Sequence, residues 1–232
     1  MTAQALAWRD ERVRRRCAGW RRTEAAAEPQ GPFRRLLGDA WHELPAAVRT
    51  RFARHIGAGA CVAYVGEVVE CRMSRTGWVL AQLARLVGGP LPLTRDTGVA
   101  ASVSVTGDVE GRGQYWTRQY GRRSGFPQVI HSAKQFAGPT GLEEYLGLGM
   151  GIALRLRVEG GALLFESDHY FLRAGVVRVR IPDWTIGRLT IGHVDLGGGR
   201  FAFTLDLDHP LMGRMVRQVA VFADAVAETA HD

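Results

Sequence analysis

From residue 61 onward the chain alternates apolar and polar positions in short runs separated by glycine. Period-two alternation is the signature of half-buried strands, and glycine supplies the positive φ that tight hairpins need. In the first run, 61–73, Val62, Tyr64, Gly66 and Val68 share one face, and Ala63, Val65 and Val69 the other. Residues 78–87 break the rhythm. They are apolar nearly all round, interrupted only by Gln82 and Arg85. Such a segment predicts a helix that must bury itself in a core, a barrel mouth or a partner. Strand patterning resumes over 99–109, 114–120, 126–136, 142–146, 152–158, 162–172, 176–181, 189–196 and 201–207. His209-Pro210 stops the last of these, and the apolar segment 211–222 fits helix or strand equally. Ahead of the strands, Phe33, Leu36, Leu37 and Trp41 predict a short amphipathic helix, and Pro45 opens a second over 46–55.

So many consecutive strands joined by hairpins imply a meander. Strand twist curls a sheet of that length, and closure removes its exposed edges. The expected fold is α+β, mainly β: a curved antiparallel meander or barrel-like sheet with short N-terminal helices and one packed apolar helix. The expected organisation is an Arg-rich, flexible arm over 1–31, a single β-rich domain over 32–224, and a tail over 225–232.

Composition narrows the class without naming a reaction. With 46% apolar and 23% charged residues in 232, the chain reads as globular. No apolar run follows Met1 and none is long enough to span a bilayer, so the expectation is a cytoplasmic protein with no secretory signal or transmembrane segment. The net charge of +7 sits mostly in the first 35 residues, where nine arginines face Asp10, Glu11, Glu24 and Glu28. Elsewhere Lys134 is the sole lysine of the chain. A basic arm binds anionic surfaces or is simply solvated, and no specific nucleic-acid binding is expected. Cys17, Cys61 and Cys71 are odd in number and widely spaced, which predicts neither a disulfide framework nor a zinc site. Cys61 and Cys71 fall on one strand face by parity and read as small buried hydrophobes in a reducing compartment.

The stretch Phe33-Arg34-Arg35-Leu36-Leu37-Gly38-Asp39-Ala40-Trp41, with Leu44-Pro45 behind it, resembles the opening of the bacterial domain-of-unknown-function family numbered 4166. Tyr115-Trp116-Thr117-Arg118-Gln119-Tyr120-Gly121 is similar to its central signature. Gly199-Arg200-Phe201-Ala202-Phe203, His209-Pro210-Leu211-Met212-Gly213 and Val216-Arg217 resemble its ending. The resemblance spans about residues 33–222 and carries no catalytic motif. It implies no assigned activity. Members occur alone or behind nucleotide-dependent oxidoreductase-like domains, which implies an accessory or ligand-binding role and an oxidoreductase-like partner.

No nucleophile elbow, zinc-protease helix, Cys-x-x-Cys pair or P-loop is present. Gly147-Leu148-Gly149-Met150-Gly151 precedes a strand and reads as a turn or bulge. Trp116, Arg118 and Tyr120 share one strand face, where Arg118 either binds a carboxylate between aromatic walls or stacks over a core edge. His131 lies in the apolar strand 129–133 and faces either a lumen or a core. By parity, Glu166, Asp168 and Tyr170 share a face opposite Ser167, His169 and Phe171, so Asp168 and His169 point apart. Arg155 with Arg157, and Arg178 with Arg180, read as solvated outer faces. No metal ligand set and no cofactor motif is visible. The leading expectation is an accessory β domain that encloses a hydrophobic or amphipathic small molecule, with Trp116, Arg118, Tyr120 and His131 as candidate ligand-binding residues. The alternatives are a cyclase- or isomerase-like enzyme using the sheet cavity, and a protein-interaction module that docks through the 78–87 helix or the Arg-rich arm to a protein or membrane.

Overall fold

The computed structural model describes residues 31–223, with the exception of 55, 59, 109, 111 and the side chain of Asp183. The arm expected over 1–31 (all but its last residue) and the tail from 225 lie outside the described residues. Short helices come first: α1 (Pro32–Leu37), a 3-10 turn (Gly38–Glu43) and α2 (Ala46–Ala53). Next is β1 (Cys61–Met73), then α3 (Arg75–Ala84), which runs into a 3-10 turn (Arg85–Val87). The strands β2 (Val99–Gly107), β3 (Gly113–Tyr120), β4 (Gln128–Gln135), β5 (Glu143–Gly147), β6 (Met150–Glu159), β7 (Ala162–Ala174) and β8 (Val177–Ile181) follow. After a single helical turn, α4 (Asp183–Ile186), the chain ends in β9 (Arg188–Gly197), β10 (Arg200–His209) and β11 (Gly213–Ala223).

Ten of these strands close an antiparallel barrel, with β11 pairing back onto β1. The segment 211–222 is therefore a strand: it has a partner on both edges, β1 and β10, and only an extended chain can satisfy both. The remaining strand, β8, lies outside the ring. The long β7 pairs with β9 over 163–166 and with β8 over 170–174, so the barrel wall passes from one neighbour to the other along a single strand.

Two bulges reset the facing of side chains. In β1 the register with β11 slips between Val68 and Glu70. Cys61 is consequently exposed and Cys71 buried, on different faces rather than one. In β7 the register with β6 passes from Ser167 to His169 and leaves Asp168 as the extra residue. Tyr170 thus faces the interior while Glu166 pairs outward with Arg157, against the simple parity of the strand.

Because successive strands of the ring run antiparallel, connections alternate between the two ends of the barrel, except that those on either side of β8 (175–176 and 182–187) lie at the same end. At one end α1 and α2 form a plug. Phe33 meets Phe52, Phe136 and Phe165 edge to face at 5.1, 5.0 and 6.1 Å, and Trp41, Leu44 and Val48 are buried beside them. Arg51 ties the plug to the wall through Asp195 at 3.1 Å and lies over the Phe201 ring.

The other end is covered by α3. Ser74 caps it by accepting from the Gly77 amide at 3.0 Å. Gly77 then lies so close to β11 that a Cβ there would stand 2.2 Å from the Met215 carbonyl oxygen. Only glycine lets the helix rest on the strand at that point. The helix buries one face alone: Gly77 and Ala81 are covered, while Trp78, Val79, Leu83 and Leu86 are exposed.

The outer wall carries charge. Arg217 bonds Asp206 and Glu70, Arg155 bonds Asp168 and Arg157 bonds Glu166. A membrane-spanning barrel presents an apolar band there instead. No helix among the described residues is long and apolar enough to cross a membrane.

Candidate functional site

Beneath α3 the barrel encloses a cavity of about 220 Å³. Its roof is Leu80, Leu83 and Ala84 of α3, and its walls are apolar side chains of β5–β7, β9 and β10. The only charged residues on its lining are Arg118 and Glu144. Leu83 lines the cavity yet is 60% exposed, so the cavity reaches the surface beside the helix.

Arg118 and Glu144 belong to a buried ionic cluster built by alternation on three adjacent strands. On β3, Trp116, Arg118 and Tyr120 point inward; on β4, Ile130, Ser132 and Lys134; on β5, Glu144. The register sets Lys134 opposite Glu144. The Lys134 ammonium donates to Glu144 Oε2 at 2.5 Å, and Arg118 Nη2 donates to Glu144 Oε1 at 3.2 Å and to Ser132 Oγ at 2.9 Å. Lys134 also lies over the rings of Trp116 and Phe165, at 5.0 and 5.5 Å.

Burial by itself would raise the Glu144 carboxyl. The Lys134 and Arg118 cations and the hydrogen bonds from Lys134 and Ser132 outweigh it and hold the group at about 2. Burial pushes the Lys134 ammonium down, opposed by Glu144 and reinforced by Arg118. Burial also pushes the Tyr120 phenol up. Two basic groups, Lys134 and Arg118, thus flank the single Glu144 carboxylate. Arg118 Nε is buried and has no hydrogen-bond partner among the described residues. A buried donor without an acceptor is costly, and a ligand acceptor relieves that cost. A second chamber of about 40 Å³ lies on the far side of Arg118, between Tyr120, Lys134 and Gln218.

Of the residues singled out by sequence, the structure brings Trp116, Arg118 and Tyr120 together on the inner wall. His131 is not with them. It projects outward on β4, exposed, with Nδ1 3.1 Å from the Thr117 hydroxyl. Sequence reasoning missed Lys134 and Glu144. A signal was present: the single lysine keeps step with Ile130 and Ser132, and Glu144 with Leu142 and Leu146.

A second polar cluster lies outside the barrel, where β8 covers it. The bulge at Asp168 lets its Oδ2 reach His169 Nδ1 at 2.8 Å, although neighbouring residues on a regular strand point apart. Arg178 Nη2 lies 3.3 Å from His169 Nε2; guanidinium only donates, so Nε2 accepts and Nδ1–H donates to Asp168. Arg178 Nη1 also bonds Glu143 at 2.6 Å, the Tyr145 hydroxyl donates to Glu143 at 2.7 Å, and Arg178 stacks on Phe171. Every polar atom of the His169 ring is engaged and the ring is buried. The cluster clamps β8 to the wall and offers no open acid or base. Among the described residues no three of His, Cys, Asp and Glu are grouped to hold a metal ion.

No curated protein shows significant similarity to this sequence. The crystal structure of Rv2717c from M. tuberculosis is 13% identical, covers 79% of this chain and 99% of its own, and superposes with a TM-score of 0.40. Residues 44–222 match the family described as Domain of unknown function (DUF4166). That span takes in all eleven strands but for the last residue of β11, together with the whole of the inner cluster, and the chain is a member of the DUF4166 family.

Proposed function

We propose that the barrel binds a small amphipathic molecule, its apolar body under α3 and a hydrogen-bond-accepting end at Arg118. The observation that carries this reading is Arg118, whose buried Nε lacks a hydrogen-bond partner among the described residues, on the lining of a cavity that is apolar but for Arg118 and Glu144. A space of about 220 Å³ is below the ~300–1,000 Å³ of drug-sized sites, so the ligand is small or leaves one end in the mouth. The cyclase- or isomerase-like alternative rests on His131, Arg118 and Tyr120 acting together in one dry pocket, and His131 lies outside the barrel. The reading has the protein working as a cytoplasmic accessory factor. The unpaired thiols of Cys61 and Cys71 fit a reducing compartment, while an oxidoreductase-like partner rests on family resemblance.

Titration with 1-anilinonaphthalene-8-sulfonate, followed by displacement with straight-chain carboxylates and the matching alcohols, tests the proposal. The expected result is saturable binding, abolished by Ile152→Trp, which fills the cavity. Arg118→Met weakens carboxylates about tenfold or more relative to alcohols, the worth of a charge-assisted hydrogen bond. A native chain that binds no probe and co-purifies with nothing by native mass spectrometry overturns it.

A further inference from the structure

Exposed apolar side chains occur on the wall strands, as at Val65, Val69 and Tyr115, but the most exposed ones gather at one end. Trp78, Leu83 and Leu86 of the α3 segment, Phe126, Leu148, Val176, Trp184 and Leu211 are all exposed. All of them lie on connections at the cavity end of the barrel. Hydrogen bonds tie these connections to one another or to the strand ends beside them. The Arg173 amide bonds the Gly149 carbonyl at 2.8 Å and the Ser74 amide bonds the Met215 carbonyl at 2.9 Å. His209 Nε2 donates to the Trp184 carbonyl at 2.5 Å, and its Nδ1 accepts from the Leu211 amide at 3.1 Å. The Gln128 side chain bonds the carbonyls of Gly89 and Leu91 at the base of the loop carrying Phe126.

The packing of the described residues does not call for the most exposed of these side chains. Val176 is 100% exposed, Phe126 91% and Leu211 86%, so they bury nothing. Leu148 has φ +47°, a left-handed turn position that Asn or Gly fills at less cost. The plugged end turns instead on Gly160-Gly161 and Gly198-Gly199. Exposed arginines stand on two neighbouring connections of this end, Arg75, Arg85 and Arg95 on 74–98 and Arg122 and Arg123 on 121–127. Against these, the connections 74–98, 121–127, 148–149, 175–176, 182–187 and 210–212 hold Asp96 and Asp183.

We infer that this rim docks on the surface of an anionic lipid membrane, with the apolar tips entering the headgroup region and the arginines meeting lipid phosphates. Separate apolar wedges beside an arginine-bearing sector suit a lipid interface. A protein-binding patch is built differently, as a contiguous core depleted of charge. The rim encircles the cavity mouth, so docking brings the mouth to a phase in which amphiphiles concentrate. That last link rests on the proposed ligand binding; docking itself does not.

Co-sedimentation of the full chain with phosphatidylcholine vesicles, with and without phosphatidylglycerol, tests the inference. Trp78→Glu/Leu211→Glu removes two tips that do not line the cavity, and Val65→Glu alters an exposed valine on the outer wall as a matched control. The native chain and Val65→Glu bind anionic vesicles, and the double variant binds at least about tenfold more weakly, as expected for withdrawing two buried apolar side chains. Leu211→Ser alone shows an intermediate loss. Ile152→Trp, which abolishes probe binding, still sediments with vesicles, so failure of the ligand reading is seen separately. Equal binding by the double variant assigns the effect to the Arg-rich arm and overturns the inference. So does absence of binding by the native chain, or a concentration-dependent dimer in sedimentation velocity that the rim substitutions abolish.

Discussion

The two ends of the barrel are built on opposite principles. At the plugged end, Phe33, Phe52, Phe136 and Phe165 interlock, Trp41 and Val48 are sealed behind them, and an ion pair pins α2 to β9. At the mouth, a helix of comparable apolar content buries one edge, leaves the other in solvent and stands over a void. The contrast separates closure from access. Aromatic packing on one side supplies the stability that allows the other to remain underpacked, because a void and an exposed apolar rim both cost folding free energy.

The comparison is broken most readily at the plug. Phe33→Ala removes a ring in contact with three others and is expected to cost about 3–5 kcal/mol, while Leu86→Ala at the mouth changes stability by less than about 0.5 kcal/mol. Urea unfolding midpoints measure both, and equal losses would erase the distinction. Next is the floor of the cavity. Glu144→Gln leaves Lys134 and Arg118 without their counter-charge and is expected to cost about 3 kcal/mol. The same carboxylate predicts acid sensitivity. Its folded value, near 2, lies below its unfolded value of ~4.3, so its contribution is complete above that unfolded value and drains away as pH falls toward 2. Thermal midpoints against pH should fall in that window in the native chain and less steeply in Glu144→Gln.

A smaller effect separates the roof from the floor. Gly77→Ala drives a methyl into the Met215 carbonyl and lifts α3, at about 1–3 kcal/mol, with a change in probe affinity larger than that of any outer-wall substitution. Smallest is Ser74→Ala, which removes the helix cap for about 1 kcal/mol. Hydrogen exchange should quicken in the first turn of α3 and leave the plug unaltered. If exchange quickens at both ends together, the mouth is not an independently opening element.

Much of the candidate site was legible in the chain. Period two put Trp116, Arg118 and Tyr120 on one face, and they share the inner wall. The same rule applied to Lys134 and Glu144 would have completed the cluster, but nothing in one strand says that its inward charge meets a counter-charge two strands away. His131 was legible as a strand residue and ambiguous in facing, since a neutral imidazole suits either side. The Asp168–His169 contact was illegible, because it depends on a bulge that only pairing with β6 creates.

Alternation and glycine punctuation determined the strands, the meander and the curling of the sheet, since each is a local or nearest-neighbour property of the chain. Closure by β11 on β1, the displacement of β8 outside the ring, the parity flips at two bulges and the pairing of buried charges were decided by tertiary structure. They depend on which distant edge has unpaired amides and carbonyls and on how ten twisted strands meet around a single interior. The gathering of exposed apolar tips at one end is of the same kind: each is an ordinary loop residue until the barrel brings them into a common rim.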